Sequence, residues 1–323
     1  MAHVTFKQLR YFEALARELH FGRAAEACSV TQPALSMQIQ ELELNLGLSL
    51  VERTRLGVQL TTQGAELAKR AACVLGEVRD LIEFAQHGSE TLCGVLRLGV
   101  IPSVAPYVLP TLLPLVRESF SELELRVRET QTHTLLQELV DGKLDLLFLA
   151  LPVKHQDVET RVLLRDKFVL VLPENRQVKG PIRATPDLFE DERLLLLEEG
   201  HCLRDQALAY CSLQEVHSIS TFGASSLSTI VELVSSGFGI TLLPELSLGL
   251  EMRGRRLNIM RFEEPEPCRE LGLVWRATSP RKKEFEEFGE LILQAAGELI
   301  NKASQFIASA KKNHRPKAKK TRV

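Results

Sequence analysis

Cys202 and Cys211, nine positions apart in Gly200-His201-Cys202-Leu203-Arg204-Asp205-Gln206-Ala207-Leu208-Ala209-Tyr210-Cys211, are the residues of this chain best suited to chemistry. A thiolate attacks a peroxide oxygen and becomes a sulfenic acid, which a second thiol converts to a disulfide. Gly200 breaks the apolar run Leu194 to Leu197 and its acidic end Glu198-Glu199, and the residues after it read as the start of a short helix. Cys202 then stands at a helix N-terminus, where the helix dipole, His201 and Arg204 all favour thiolate over thiol. On one continuous helix the two alpha carbons are ~13 Å apart, at about 1.5 Å rise per residue. A disulfide tolerates at most about 7 Å, so closing it would require the segment to unwind. Two half-buried cysteines without redox chemistry fit the same segment, since free cysteine is among the most buried residue types.

The other cysteines, Cys28, Cys73, Cys93 and Cys268, form no CxxC pair with these or with each other. That argues against a zinc site and a structural disulfide framework, and neither metal nor cofactor is expected. In a reducing compartment a disulfide here would be transient and regulatory.

The 323 residues suggest two or three domains, and 45% hydrophobic with 25% charged residues is ordinary for a soluble protein. No apolar run reaches the ~18 residues of a membrane span, and MAHVTFKQLRYF lacks a signal-peptide pattern, so a cytoplasmic location away from membranes is expected. Seven of the 40 basic residues lie in 311–323 with no acidic residue, leaving 33 against 42 before them. This tail is expected to be disordered because it has little apolar surface to bury.

The elements that must position this chemistry begin with a DNA reader. Leu9, Phe12, Ala16 and Leu19 mark the inner side of a first helix, and Ala24, Ala25 and Ala27 a short second one. Thr31 is expected to cap a third helix with Pro33 in its first turn, burying Leu35, Ile39, Leu42 and Leu46 and ending at Gly47. Gln32, Ser36 and Gln40 lie at helical spacing on its other face, able to reach base edges or phosphates in a major groove. Two short strands then form a wing that places Arg53 and Arg55 against phosphate or a minor groove. Residues 1–60 hold six basic and six acidic side chains, so no broad positive field marks the domain, and a purely structural three-helix bundle is the competing reading.

A long helix follows, with Leu67, Ala71, Val74, Val78, Leu81 and Ala85 in alternating steps of four and three, a heptad seam suited to dimerisation or to packing on its own chain. From Cys93 the pattern becomes strand and helix in alternation, which predicts a parallel sheet with ligand groups at strand ends. Ser103 and Thr132 occupy such ends. A second set runs from Arg161 through a strand at Phe168 to Leu172, and the chain returns through Leu271 to Trp275 to a last helix from Lys282 to about Ile300. Two lobes joined by crossovers would enclose a cleft.

The expected fold is α/β, with a winged helix-turn-helix over 1–61, a linker or dimerisation helix over 62–90, a two-lobed periplasmic-binding-protein-like sensor over 91–301, and a basic tail over 302–323. These pieces resemble the LysR-type transcriptional regulators from about Phe6 to Ile300. The signatures are Ala24-Ala25, Thr31-Gln32-Pro33-Ala34-Leu35-Ser36, Leu46-Gly47, Glu52-Arg53 and Gly237-Phe238-Gly239-Ile240. Within the family the cysteine segment, IPSVAPYVLP, ETQTHTLL and PEPCRELGLVWR are similar to the hydrogen-peroxide-sensing members.

The resemblance implies a regulator and not an enzyme, with Cys202 as the peroxidatic cysteine and Cys211 as the resolving one. It implies that Ser103, Thr132, His201 and Arg269 position peroxide and stabilise the thiolate. Ser103 stands where it would place threonine, and Cys268 where a basic residue is expected, so a third reactive thiol stays open. The implied partners are promoter DNA, RNA polymerase, copies of the chain in a homotetramer built as a dimer of dimers, and a glutaredoxin or thioredoxin as reductant. A LysR-type regulator with a small-molecule effector in the inter-lobe cleft, a thiol peroxidase and a solute-binding protein are the alternatives.

Overall fold

The computed structural model describes residues 3–54, 57–87, 92–176, 183–184, 193–213, 219–221 and 224–313. The chain divides into two compact units, Met1–Ser89 with Gln137–Leu144 and Thr278–Pro280, and Glu90–Leu136 with Asp145–Ala277 and Arg281–Val323.

The N-terminal elements are α1 (Phe6–Glu18), α2 (Phe21–Ala27), α3 (Gln32–Leu46), β1 (Val51–Thr54), β2 (Gly57–Leu60) and α4 (Thr62–His87). Thr5 and Gln8 cap α1 reciprocally through backbone-to-side-chain hydrogen bonds of 3.0 and 3.2 Å. Its buried residues are Gln8, Tyr11, Phe12, Ala14 and Leu15, which corrects the expected stripe of Leu9, Phe12, Ala16 and Leu19. Leu19 is the left-handed C-cap (φ 47°), so the helix stops before that residue can turn inward. In α2, Ala24 and Ala25 are buried and Ala27 is exposed.

Phe12, Leu15, Ala24, Leu35, Ile39, Leu42 and Leu50 are all at least 99% buried and hold the three helices together. At about 1.5–3 kcal/mol for each large apolar side chain, this core outweighs any single cap.

Thr31 occupies the N-cap of α3 with extended backbone, but its side chain makes no capping hydrogen bond, a correction to the expectation. Pro33, the second helical residue, has no N–H to offer a cap, and the Thr31 side chain does not take up the N–H of Ala34, the third. Gly47 ends α3 at φ 66°, a conformation that suits glycine. The Glu43 carboxylate accepts from the backbone N–H of Leu50 (2.7 Å) and Val51 (3.2 Å), fastening the antiparallel β1–β2 wing to α3. Thr61 opens α4 by accepting from the N–H of Gly64 at 2.9 Å.

The remaining elements are β3 (Gly94–Val100), α5 (Ala105–Ser119), β4 (Leu123–Glu129), α6 (Thr132–Val140), β5 (Leu146–Leu151), β6 (Val158–Pro173), β7 (Leu194–Leu196), α7 (Cys202–Leu213), β8 (Ile219–Thr221), α8 (Leu227–Ser235), β9 (Thr241–Pro244), α9 (Leu248–Glu251), β10 (Leu257–Arg261), β11 (Cys268–Arg276) and α10 (Lys282–Asn313). The main sheet runs β10-β6-β11-β5-β3-β4, with β9 also on β6, and β7 pairs with β8 apart from it.

The expected parallel sheet holds for the strands that alternate with helices, and the strands added by the second set and the return run the other way. Strands β4, β3 and β5 are parallel, but β11 is antiparallel to both β5 and β6, as are β10 and β9 to β6. Strand β6 leaves the first lobe and β11 returns to it, so the two must run opposite ways. The expected strand Phe168 to Leu172 is the last part of the 16-residue β6.

Helix α10 runs to Asn313 and not to Ile300, burying Ala303 and Ile307 in the second lobe's core. The boundary at 302 is therefore corrected: residues 302–313 are helical, and 314–323 lie outside the described residues. No helix among the described residues is long and apolar enough to cross a membrane.

Candidate functional site

Val100 and Glu129 are register partners at the ends of parallel β3 and β4, so the turns after them leave the same sheet edge. Ser103 follows β3, and Thr132 opens α6 after β4. Cys202 is the first residue of α7, in the other lobe. Ser103, Thr132, His201 and Cys202 line one cavity together with Ile101, Pro102, Gln131 and Gly200. Its free space, open solvent included, is about 180 Å³.

Thr132 Oγ1 is buried in this cavity with no hydrogen-bond partner among the described residues. A buried hydroxyl without a partner costs about 1–3 kcal/mol, so this one is suited to a polar ligand atom. His201 is 6% exposed, with Nε2 4.0 Å from a Glu198 carboxylate oxygen. Its carbonyl accepts from the N–H of Arg204 at 2.9 Å, forming the first turn of α7. The Arg204 guanidinium lies 3.6 Å from Glu199.

Gly200 is required by its backbone, and the end of the flexible Gln131 side chain lies where a Cβ would go. The φ of Gly200 is 92°, and a Cβ there would meet the Gln131 side chain at 2.7 Å. Gln131 and Gly200 are cavity residues that spacing alone did not single out, although Gln131 directly precedes Thr132 at a strand end.

Arg269 stands behind the wall and not in it. One terminal nitrogen donates to Ser103 Oγ at 2.7 Å and the other to the Ser103 carbonyl at 3.0 Å. Its Nε donates to Asp166 Oδ2 at 3.0 Å, and both side chains of this ion pair are fully buried. Asp166 Oδ1 accepts from the N–H of Leu246 at 3.2 Å. Burial pushes the Asp166 carboxyl above its ordinary range, while Arg269 and the N–H groups of Leu246 and Glu245 pull it back. Asp166 is the partner the sequence did not reveal; its one signal is an acidic residue inside a strand, where aspartate is depleted. Cys268 is exposed at the start of β11. Cys211 lies on α7, two residues before its end, and its side chain is outside the described residues.

On the candidate DNA face, Thr31, Gln32, Pro33 and Gln40 are exposed and Ser36 is half-buried. Met37, which the polar pattern passed over, is 61% exposed on the same helix and suits contact with a thymine methyl. Arg53 is on β1 with its side chain outside the described residues, and Arg55 lies outside them altogether. The seam of α4 divides: Ala71 is buried and Leu67 packs on the reader core, whereas Val74 and Leu81 are exposed. Val78 is half-buried, and the side chain of Ala85 is outside the described residues.

Residues 6–65 match the bacterial regulatory helix-turn-helix protein, lysR family, and residues 89–297 match the LysR substrate binding domain. The chain belongs to the LysR family. A probable hydrogen peroxide-inducible genes activator from Streptomyces viridosporus is 44% identical over 294 residues, covering 90% of this chain and 94% of that protein. Full-length OxyR from Pseudomonas aeruginosa, with a cysteine-to-aspartate substitution, superposes with a TM-score of 0.77 at 34% identity, covering 90% of this chain and 95% of that one. A cysteine-to-serine variant of Corynebacterium glutamicum OxyR with hydrogen peroxide bound gives a TM-score of 0.67 at 33% identity, covering 95% and 97%.

Proposed function

We propose that this LysR-family chain is a DNA-binding transcription regulator that senses hydrogen peroxide through Cys202. One observation carries the reading: Cys202 opens α7 in a cavity whose Thr132 hydroxyl has no protein partner among the described residues. The Cys202 thiolate attacks one peroxide oxygen, forming an S–O bond as the O–O bond breaks. The leaving hydroxide takes a proton and departs as water. Sulfur is oxidised by two electrons and peroxide is reduced. The Cys211 thiol then displaces the sulfenic oxygen as a second water, leaving a Cys202–Cys211 disulfide.

Helix α7 is continuous from Cys202 to Leu213, so the disulfide requires it to unwind. Unwinding withdraws Leu203 and Ala207, both buried in the second lobe's core, and disturbs the edge-to-face contact of Tyr210 with Phe262 at 5.2 Å. The oxidised segment then repacks the sensor domains of a homotetramer, a dimer of dimers joined partly through α4. That repacking changes the spacing of the readers on promoter DNA and their contact with RNA polymerase. Thr31, Gln32, Pro33, Ser36 and Gln40 meet the major groove, and Arg53 and Arg55 of the wing meet phosphate or a minor groove. The protein works in the cytoplasm, where glutaredoxin or thioredoxin reduces the disulfide.

Footprinting on promoter DNA tests the reading. Peroxide is expected to change the wild-type footprint and leave that of Cys202→Ser unchanged; a peroxide response that survives the substitution contradicts it.

A further inference from the structure

We infer that Asp166 is a positioning residue for the peroxide reaction: by fixing Arg269 from behind, it makes the Ser103 hydroxyl a hydrogen-bond donor to the Cys202 cavity. This rests on the reading of Cys202 as the peroxide-reactive thiol.

Asp166 and Arg269 are register partners on β6 and β11, and neither side chain has any exposure. The guanidinium is planar, with its donors in a fixed fork. Two of its nitrogens approach one Asp166 oxygen, Nε at 3.0 Å and a terminal nitrogen at 2.9 Å, which fixes the plane of the fork. The outer edge of that plane then meets Ser103 at both Oγ and the carbonyl. Asp166 is itself held by the N–H of Leu246, so the row is anchored at its far end.

A serine hydroxyl has one donor and two acceptor positions. Arg269 donates to the Ser103 oxygen, which leaves the O–H to serve an acceptor on the cavity side. When the Cys202 thiolate attacks peroxide, the departing oxygen gains negative charge as the O–O bond breaks. A donor already in place for that oxygen stabilises the transition state more than the ground state. The hydroxide still takes its proton from the cavity or solvent and leaves as water, so Ser103 keeps its own. Asp166 touches neither peroxide nor sulfur and acts only through Arg269.

The test compares two electrophiles at Cys202. Peroxide needs the donor, whereas iodoacetamide reports thiolate supply and access. Oxidation and alkylation rates are measured across pH on the full chain carrying Ser103→Ala, Asp166→Asn, both together, or Asp166→Leu with Arg269→Met. The last variant removes both buried charges while filling their volume, which keeps the test readable where Asp166→Asn fails to fold.

Ser103→Ala is expected to slow peroxide by about 100-fold and Asp166→Asn by about 10-fold, with alkylation and its pH midpoint little changed. Adding Asp166→Asn to Ser103→Ala should slow peroxide no further, and the Leu/Met variant should fall to the Ser103→Ala rate. Wild-type peroxide rates in Ser103→Ala, full additivity of the two changes, or equal slowing of both electrophiles would overturn the role of Asp166. A wild-type Cys202 inert to peroxide would instead overturn the reading of the site itself.

Discussion

Asp166 and Arg269, 103 positions apart in sequence, face each other across β6 and β11 with their side chains fully buried and 2.9 Å apart. Breaking such a pair from one side leaves an uncompensated buried charge, which typically costs about 3–5 kcal/mol. Arg269→Met alone should therefore lower the unfolding free energy by that amount in denaturant titration. Asp166→Leu with Arg269→Met should recover most of it, and equal losses would show that the charges are not coupled.

Glu266 sets part of the acid response. Its side chain is 3% exposed and receives Lys167 at 2.5 Å, Arg183 at 3.2 Å and Arg261 at 3.4 Å. Burial alone would raise its carboxyl, but the Lys167 hydrogen bond and the charges of Arg261, Lys167 and Arg183 hold it below its ordinary value of 4.5. A lowered folded-state value means that the unfolded chain binds the proton more readily as pH falls. The stabilisation is present above 4.5 and is lost as pH drops through the lower folded value. Urea midpoints should fall between pH 5 and pH 3 in wild type and less steeply in Glu266→Gln; parallel slopes would contradict this.

Much of the reader was legible because its signals are local. Pro33 in a first turn, Gly47 at a helix end and polar residues every four positions each mark α3 within a few residues. The strand-to-strand partners were not, since Asp166 acquires its meaning only when β11 returns beside β6. The C-terminal extension of α10 was hidden by the basic tail, although Ala303 and Ile307 continue the spacing set by Phe285, Phe288 and Ile292. Within the cavity, Ser103, Thr132, His201 and Cys202 were visible as polar or thiol groups at element ends. Arg269 was found through family likeness alone, and its place behind Ser103 required the structure.

Thr31 sits at the N-cap of α3 without capping it. Thr31→Ala should leave thermal stability within about 0.5 kcal/mol of wild type, at the low end of what loss of a true cap costs. The same change, like Gln32→Ala, should weaken binding to promoter DNA, by about 1–3 kcal/mol where the side chain reads a base. Loss of stability with intact DNA affinity would return Thr31 to a structural role.

Leu81 is 66% exposed on α4, whereas Ala71 is 2% exposed. Leu81→Glu should dissociate the proposed dimer in light scattering while leaving helix content and melting of the single chain in place. Ala71→Glu should instead destabilise the chain itself, since it puts a charge where no water reaches. A dimer that survives Leu81→Glu would remove α4 from the interface.

The proposed redox switch is built on α7. Full-length protein is treated with one equivalent of hydrogen peroxide, its remaining thiols are alkylated, and peptides are read by mass spectrometry beside amide exchange of residues 202–213. The predicted result is a linked Cys202–Cys211 peptide, absent after reduction, with faster exchange along α7. Both cysteines still fully alkylated while the promoter footprint changes would contradict it.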